Sequence, residues 1–326
     1  MRALVTGATG FIGSHLVEEL LRRGFVVRCL VRRASDPRLL ETLGVELVTG
    51  DYQDSVSLGA AVRDVDYVFH LAAALTALEW EEYRRANVEA TRNLLVACLE
   101  RNPGLRRFVF VSSISAAGPS EKGRAKTEDS PGAPISDYGR SKLMAEQAVE
   151  IYAPKFPVVI IRPPNVIGPR QRELLEAIRL IRKRIMPVIG TGEPQTSLCY
   201  VGDVVEALIL AAEHPRAVGR TYFLADPRPY AWREINQAIA ASLGIRGPML
   251  KVHYPVQLLA AALSEAAARM VKKRPRLTKG YVRSARFQEW IYDSSRIRRE
   301  LGFETKTGLE EAIEKTVAWY RANCDA

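Results

Sequence analysis

A glycine-rich turn close to the amino terminus constrains the fold more than any other feature of this chain. The apolar residues 3–5 (ALV) lead into TGATGFIG, in which Gly7, Gly10 and Gly13 have the spacing GxxGxxG, and a helical stripe of apolar residues begins at Phe11. A strand, a glycine turn and a helix in this order are typical of a dinucleotide-binding turn. Gly7 would close the turn, Gly10 would let the backbone approach a pyrophosphate, and Gly13 would let the helix pack on the strand.

The start of this helix is predicted to hold the phosphate groups. Its first N–H groups have no acceptor within the helix, and the helix dipole places positive charge at the same end. The predicted contacts come from the three glycines together with Thr9, Phe11 and Ile12.

Short apolar runs alternate with helical patterns through the first half of the chain. The runs are VVRCLVR (26–32), VELVTG (45–50), YVFHLAA (67–73), RFVFVSS (107–113) and VVIIRPP (158–164). They are dense in Val, Ile and Phe, as expected of parallel strands covered on both faces, and segments 79–101 and 137–153 are long enough for crossover helices. The pattern predicts an α/β fold with a Rossmann-type, doubly wound parallel sheet.

The regular alternation of strand and helix patterns ends after Pro164. An amphipathic helix is predicted over residues 173–185, a strand feeding a helix over 198–213 with Asp203 as its cap, and one more strand over 220–226. We therefore expect two interleaved parts. Residues 1–164 and 196–225 would form the dinucleotide-binding domain, and residues 165–195 and 226–326 a smaller, mostly helical substrate lobe.

Composition and charge narrow the class of protein. Of the 326 residues 47% are hydrophobic and 26% are charged, which is typical of globular proteins. No run reaches the roughly 18 apolar residues of a membrane span, and no signal-like segment precedes the glycine turn. The four cysteines are scattered and have no metal-ligand spacing to the four histidines. We expect a cytoplasmic protein with reduced thiols and no metal site.

The second strand ends in Arg32 and Arg33, where dinucleotide-binding strands commonly end in an acid that accepts the ribose hydroxyls. An acid would repel a 2′-phosphate, whereas the planar guanidinium group of an arginine suits one. The hypothesis is therefore NADP, with NAD as the second choice and Arg32 as the main contact. The alternative is that both arginines only face solvent.

Two later strand ends are also predicted to contact the cofactor. Asp51 and Tyr52 follow the third strand, where Asp51 could accept a hydrogen bond from the adenine amino group. Leu71, Ala72 and Ala73 follow the fourth strand, and their small size would let the backbone pass close to the cofactor.

Tyr138 and Lys142 are predicted to form a proton-transfer pair, because their i, i+4 spacing puts both on one face of a helix. A free tyrosine has a pKa near 10, and a neighbouring ammonium and an oxidised nicotinamide ring would lower it. Lys142 could also hold the nicotinamide ribose. Ser113 ends the fifth strand at the same sheet edge and is predicted to orient the substrate oxygen.

With these motifs in place, the chain resembles the extended short-chain dehydrogenase/reductase superfamily. The matching segments are TGATGFIG, GDY (50–52), HLAA (70–73), NVEATRN (87–93), VSS (111–113), YGRSK (138–142), RPPNVIGP (162–169), YVGDV (200–204) and LGF (301–303). They cover nearly the whole chain.

The resemblance implies hydride transfer between nicotinamide C4 and a carbinol or ketone carbon. Tyr138 would be the general acid/base, Lys142 its partner and Ser113 the second hydrogen bond to the substrate oxygen. Pro163 and Pro164 would lie beside the nicotinamide, and Asn165 near the substrate. It also implies a homodimer formed through the helices predicted at 79–101 and 137–153.

Three branches of the superfamily are candidates. Dehydratases resemble one another in an Asp-Glu pair after the fifth strand, where this chain has SISAAG without an acid. Many nucleotide-sugar epimerases have an arginine that grips the substrate diphosphate at the position of Thr196, and a second one at the position that Arg283 could occupy. One of these two arginines is missing, so an epimerase remains an alternative.

Reductases and dehydrogenases of bulky, apolar alcohols or ketones fit better. The VR ending of the second strand resembles dihydroflavonol-reductase-type enzymes. The pattern RPRLTKGYVRSARF, followed by YDSSRIRRELGF, resembles 3β-hydroxysteroid-dehydrogenase-like enzymes and hopanoid-associated epimerase-like proteins.

The segment 255–286 combines an apolar helix with a basic end. Residues 269–286 contain eight basic residues and no acid, within a chain of formal charge +10. The alternatives are a core helix of the small lobe with a solvated basic end, a lid over an apolar substrate, and a helix that rests on an anionic membrane.

Other classes of function fit less well. A non-catalytic NADP-binding sensor has no need of Ser113, Tyr138 and Lys142 together. Nucleic-acid binding is not expected, because the basic residues do not alternate with aromatic ones and no recognition motif is present. We expect a small-molecule substrate.

Overall fold

The computed structural model describes residues 1–187, 194–246, 250–271, 275, 277–284 and 289–324. The strands are β1 (Arg2–Thr6), β2 (Val26–Val31), β3 (Glu46–Thr49), β4 (Tyr67–His70), β5 (Arg107–Val111), β6 (Val158–Arg162), β7 (Asn165–Ile167), β8 (Ile185–Pro187), β9 (Gln195–Thr196), β10 (Leu198–Tyr200), β11 (Arg220–Phe223), β12 (Tyr230–Ala231), β13 (Leu250–Val252) and β14 (Glu289–Trp290).

The α-helices follow the same numbering along the chain. They are α1 (Phe11–Arg22), α2 (Arg38–Thr42), α3 (Ser55–Val62), α4 (Trp80–Tyr83), α5 (Ala90–Arg101), α6 (Ile114–Ala117), α7 (Asp137–Tyr152), α8 (Arg172–Arg182), α9 (Val201–Glu213), α10 (Trp232–Ser242), α11 (Tyr254–Met270), α12 (Lys279–Ser284), α13 (Ser295–Leu301) and α14 (Leu309–Cys324). A π-helix (Arg84–Glu89) joins α4 to α5, and a 3₁₀ turn (Pro215–Ala217) follows α9.

A seven-stranded parallel sheet forms the centre of the molecule, with strand order β11-β6-β5-β4-β1-β2-β3. The order reverses beside β1, which pairs with β2 on one side and β4 on the other. This is the doubly wound arrangement predicted from the sequence, and the prediction of a Rossmann-type α/β fold is confirmed. Ligands of such sheets bind where the strand order reverses, at the carboxyl ends of the strands.

Both faces of the sheet are buried, which explains why its strands are almost continuously apolar. Along β1, Ala3 and Val5 point into a core that includes residues of α1 and α9. Leu4 points to the opposite face, into a core that includes residues of α3, α5 and α7. The alternation along one strand therefore joins two separate hydrophobic layers.

The carboxyl-terminal part is largely helical and adds three small sheets, β12-β9-β14, β10-β7 and β13-β8. A separate core joins α8, α10 and α14 there, around Ile178, Ile239 and Ile313. The helical character matches the expectation for this part of the chain, and the proposed boundaries between the two interleaved parts stay a prediction. No helix within the described ranges combines the length and apolarity needed to cross a membrane.

The structure corrects the predicted role of Asp203 and one of the three alternatives for the segment 255–286. Asp203 does not cap α9, because the cap position is Tyr200; the Asp203 carboxylate lies in the first turn and accepts a hydrogen bond from the Thr307 N–H at 3.0 Å. Helix α11 is not a core helix, since large apolar side chains such as Leu259 and Leu263 are more than 60% exposed.

Candidate active site

The glycine turn leaves no room for a side chain at Gly7 and Gly13. Gly7 has a φ of +71°, and a Cβ there would lie 2.7 Å from the Ala72 nitrogen. A Cβ on Gly13 would lie 2.2 Å from the Gly7 carbonyl oxygen. The first glycine therefore lets the chain after β4 approach the turn, and the third lets α1 pack against it.

Gly10 stands at the amino-terminal end of α1 and provides no side-chain cap. Thr9 and Gly10 are exposed, and Phe11 and Ile12 are partly buried. The first-turn N–H groups are therefore left without a capping side chain, as an anion site requires. A pyrophosphate group fits this donor set.

The second strand and the residues directly after it contain three arginines, Arg28, Arg32 and Arg33, whose environments differ. Arg28 is buried, forms an ion pair with Glu46 at 2.9 Å, and donates to the carbonyl oxygens of Ala61 and Arg63. Arg32 and Arg33 follow the end of β2, are exposed, and form no ion pair with any residue in the described part of the chain. Arg28 is thus a structural residue, whereas Arg32 and Arg33 are available to a ligand.

The two residues after β3 have different environments. Asp51 is exposed, and its carboxylate accepts a hydrogen bond from the Gln53 N–H at 2.8 Å. Burial raises the pKa of Tyr52 to about 12, and its hydroxyl is hydrogen-bonded to Thr6. The positive charge of Arg32 acts on the same hydroxyl in the opposite direction. The Tyr52 hydroxyl is therefore influenced both by Thr6, the last residue of β1, and by Arg32, which follows β2.

Ser113 and Tyr138 are brought together at the carboxyl edge of the sheet. Burial raises the pKa of Tyr138 to about 12, and a hydrogen bond to the Ser113 hydroxyl acts against this rise. Ser113 is held in place because its Oγ also accepts the Ser115 N–H at 3.1 Å, as the cap of α6. The ring of Tyr83 lies 6.5 Å from that of Tyr138.

Lys142 lies one turn after Tyr138 on α7 and is buried. Its Nζ donates to the Val111 carbonyl oxygen at 2.6 Å and lies 4.3 Å from the centre of the Phe110 ring. Desolvation lowers the pKa of Lys142 to about 7. The lowering of the Tyr138 pKa by this ammonium stays a prediction.

The RPPN segment (162–165) borders the site at the carboxyl end of β6. Pro163 and Pro164 are buried, and the Pro163 carbonyl oxygen accepts the Ile114 N–H at 3.1 Å, which places it next to Ser113. Asn165 is partly exposed and donates from Nδ2 to the Thr196 hydroxyl at 2.6 Å. Thr196 itself is fully buried. The side chain of Arg283 lies outside the described residues.

A buried polar network, which the sequence analysis missed, runs beneath these residues. Thr6 Oγ1 lies 2.7 Å from His70 Nδ1, and His70 Nε2 lies 2.9 Å from Thr91 Oγ1. The Thr91 hydroxyl donates its one proton to the Asn87 carbonyl oxygen at 2.6 Å, so its oxygen must accept a hydrogen bond from the Nε2–H of His70. The unprotonated Nδ1 of His70 then accepts a hydrogen bond from the Thr6 hydroxyl. Burial, and next the charge of Lys142, lower the pKa of His70 to about 3, so the ring is neutral.

Asn87, a buried residue of the π-helix, extends this network. Its side chain exchanges two hydrogen bonds with the backbone of Ala74, at 2.7 and 3.1 Å, and donates to Ser141 Oγ at 2.8 Å. Ser141 in turn donates to the Tyr138 carbonyl oxygen at 2.7 Å. The motifs HLAA and NVEATRN marked His70 and Asn87, although no role could be assigned from sequence.

A buried ion pair fastens α7 to the sheet. Arg162, the last residue of β6, forms two hydrogen bonds to the Glu146 carboxylate, at 2.9 and 2.7 Å. Glu146 is one turn beyond Lys142 on α7. The ion pair with Arg162 therefore holds the helix that carries Tyr138 against β6. No cluster of three or more metal-ligating side chains occurs among the residues described.

The chain is similar to known proteins over nearly its whole length. A model of the NAD dependent epimerase/dehydratase family matches residues 3–225. The chain is 30% identical to the ceramide reductase of Caulobacter vibrioides, over 98% of this chain and 94% of that protein. It is 29% identical to the 4-hydroxy-2-methyl-3-oxo-4-farnesyl-3,4-dihydroquinoline-1-oxide ketoreductase of Stigmatella aurantiaca, over 96% of this chain and 95% of that protein.

Among solved structures, the chain is similar to MoeE5 in complex with UDP-glucuronic acid and NAD. The TM-score is 0.79 and the identity 28%, over 99% of both chains.

Proposed function

The chain belongs to the NAD dependent epimerase/dehydratase family, and from this premise we propose that it is an NADP-dependent oxidoreductase acting on a bulky, apolar alcohol or ketone. The family membership confirms the resemblance to extended short-chain dehydrogenases/reductases and makes the chain an NAD(P)-dependent oxidoreductase. The choice of NADP, the class of substrate and the roles of the site residues are the proposal.

The observation that carries the proposal is the contact between Ser113 and Tyr138 above a buried Lys142. Tyr138 gives a proton to the substrate oxygen during reduction and takes it back during oxidation. Ser113 donates a second hydrogen bond to the same oxygen. Lys142 would hold the nicotinamide ribose and supply positive charge that stabilises the Tyr138 phenolate. When bound, NADPH would give a hydride from nicotinamide C4 during reduction, and NADP⁺ would accept it during oxidation.

The preference for NADP is supported by Arg32 and Arg33. Both are exposed at the end of β2 and lack a carboxylate partner in the described structure. A 2′-phosphate would give them one, with charge-assisted hydrogen bonds from a planar guanidinium group.

An apolar substrate is supported by Thr196 and by the relatives. The uncharged Thr196 side chain is buried and bonded to Asn165, so this position offers no cation to a substrate diphosphate. The two reductases that resemble the chain are named for ceramide and for a farnesyl-bearing quinoline oxide, both bulky and largely apolar.

Nucleotide-sugar epimerisation is the second candidate function. It is favoured by the likeness to MoeE5, which was solved with a UDP-sugar and NAD. In that case the same tyrosine would act on a sugar hydroxyl, and no net cofactor turnover would occur.

A homodimer through α5 and α7 is part of the proposal. These helices each expose an apolar side chain, Leu99 at 38% and Ile151 at 70%. Burial of both against a second copy would remove apolar surface from water.

The test is a screen for NADPH and NADH oxidation with long-chain and polycyclic ketones, run beside UDP-sugars with analysis of epimers. We expect NADPH oxidation with at least one apolar ketone and no epimer of any UDP-sugar. A redox-neutral epimer change without net cofactor oxidation would contradict the proposal and favour the second candidate.

A further inference from the structure

Helix α11 presents a row of large apolar side chains to solvent. The exposed fractions are 57% for Val256, 62% for Leu259, 63% for Leu263 and 86% for Met270. Steps of three, four and seven residues place all four on one narrow face of the helix. Val271, which is 62% exposed, continues the row. These five residues are called the apolar face of α11.

The opposite side of α11 faces the protein. Ala261 and Ala268 are buried, and Ser264 and Glu265 accept hydrogen bonds from the N–H groups of Leu277 and Lys279 at 3.3 and 2.7 Å. The helix is therefore held by its small and polar side, and its large apolar residues point away from the molecule. Folding alone does not account for this arrangement, because a contiguous exposed apolar surface usually marks an interaction site.

The sequence from Arg269 onwards is rich in basic residues. The helix contains one acid, Glu265, and the Lys279 ammonium neutralises it at 3.3 Å. Arg269 is exposed at the carboxyl-terminal end, and the sequence continues with Lys272, Lys273, Arg274 and Arg276 before the next acid, Glu289. An apolar face with a basic flank complements a lipid surface that carries negative headgroups.

We propose that the apolar face of α11 binds the surface of an anionic lipid bilayer. The apolar side chains enter the boundary between headgroups and acyl chains, and the exposed Arg269 contacts the headgroups. This contact does not depend on the proposed reaction, although it would place the site beside molecules that dissolve in lipid.

The test is co-sedimentation of the full chain with vesicles of phosphatidylcholine alone or mixed with phosphatidylglycerol. The matched variants are Leu259→Gln/Leu263→Gln, and the control Val56→Gln/Val218→Gln, which changes two exposed apolar residues elsewhere. We expect binding to the mixed vesicles that weakens with salt, a loss of about tenfold or more in the α11 variant, and no change in the control. Far-ultraviolet circular dichroism checks that each variant is folded.

Two outcomes would overturn the proposal. The first is no binding of the unmodified chain to mixed vesicles at low salt. The second is equal binding by the folded α11 variant. If that variant also alters the oligomeric state in sedimentation equilibrium, a second copy of the chain covers this face instead of a lipid surface.

Discussion

The ammonium group of Lys142 donates a 2.6 Å hydrogen bond to the carbonyl oxygen of Val111, the last residue of β5. This contact ties the helix that carries Tyr138 to the strand that leads into Ser113. Because the ammonium is buried, its pKa falls to about 7.

Replacing Lys142 by methionine is expected to abolish turnover and to change how stability depends on pH. The folded-state pKa of Lys142 lies below its ordinary value of 10.5, so the unfolded chain binds an extra proton between about 7 and 10.5. The unfolding free energy of the unmodified chain should therefore rise with pH across that window relative to Lys142→Met, by up to about 1.4 kcal/mol per pH unit. Urea titrations of both proteins measure this, and parallel pH profiles would refute it.

The double variant Arg32→Ala/Arg33→Ala is expected to weaken NADP binding roughly 10- to 100-fold, because charge-assisted hydrogen bonds to the 2′-phosphate are lost. Affinity for NAD, which lacks this phosphate, should change little. Arg38→Ala serves as the control, since Arg38 is exposed nearby but pairs with Asp36. Isothermal titration with both cofactors measures the effect, and an equal loss for NAD and NADP would count against the assignment.

Replacing His70 by phenylalanine is expected to destabilise the fold by about 1–3 kcal/mol, since Thr6 and Thr91 lose their buried partner. It should also alter the acid response. The folded-state pKa of His70 is about 3 and its ordinary value 6.5, so its neutral ring contributes stability above 6.5 that is lost as pH falls through that window.

His70→Phe should therefore lose less stability than the unmodified chain between pH 6.5 and about 3. The exposed His253 provides the control variant, His253→Phe. Denaturant titrations at several pH values decide the matter, and an unchanged acid response would show that His70 is not buried in its neutral form.

Ser113→Ala is expected to lower kcat roughly 100-fold, because one hydrogen bond to the developing charge on the substrate oxygen is removed. Since Ser113 also caps α6, the alanine variant should lose about 1 kcal/mol of stability as well. Ser113→Thr keeps the hydroxyl and should recover most of both losses. Steady-state kinetics beside thermal unfolding separates the two effects; full activity in the alanine variant would exclude the proposed role.

Much of this site could be predicted from the sequence, because the carboxyl ends of parallel strands lie at the same edge of the sheet. Residues that follow β1, β2, β4 and β5 must therefore converge, whatever the loops do. The glycine turn, Arg32 and Ser113 are each next to an apolar run that is easy to recognise. Tyr138 and Lys142 need only a helix between them to share a face.

The remaining features depend on contacts between distant parts of the chain. The pairing of β9 with β12 and β14 joins short strands without a periodic pattern. The His70 network combines Thr6, Thr91 and Asn87 from three elements, and the π-helix that turns Asn87 inward has no local signature. Asp203 was predicted as a cap from its position alone, while its partner Thr307 lies 104 residues away.

The most direct test of the account is reduction of an apolar ketone by the unmodified chain and by Tyr138→Phe, with NADPH binding measured for both proteins by fluorescence. We predict that the phenylalanine variant binds NADPH with nearly unchanged affinity and loses at least about 99% of kcat, since the proton donor is absent while the glycine turn and Arg32 remain. A Tyr138→Phe variant that reduces the ketone at the unmodified rate would contradict the account.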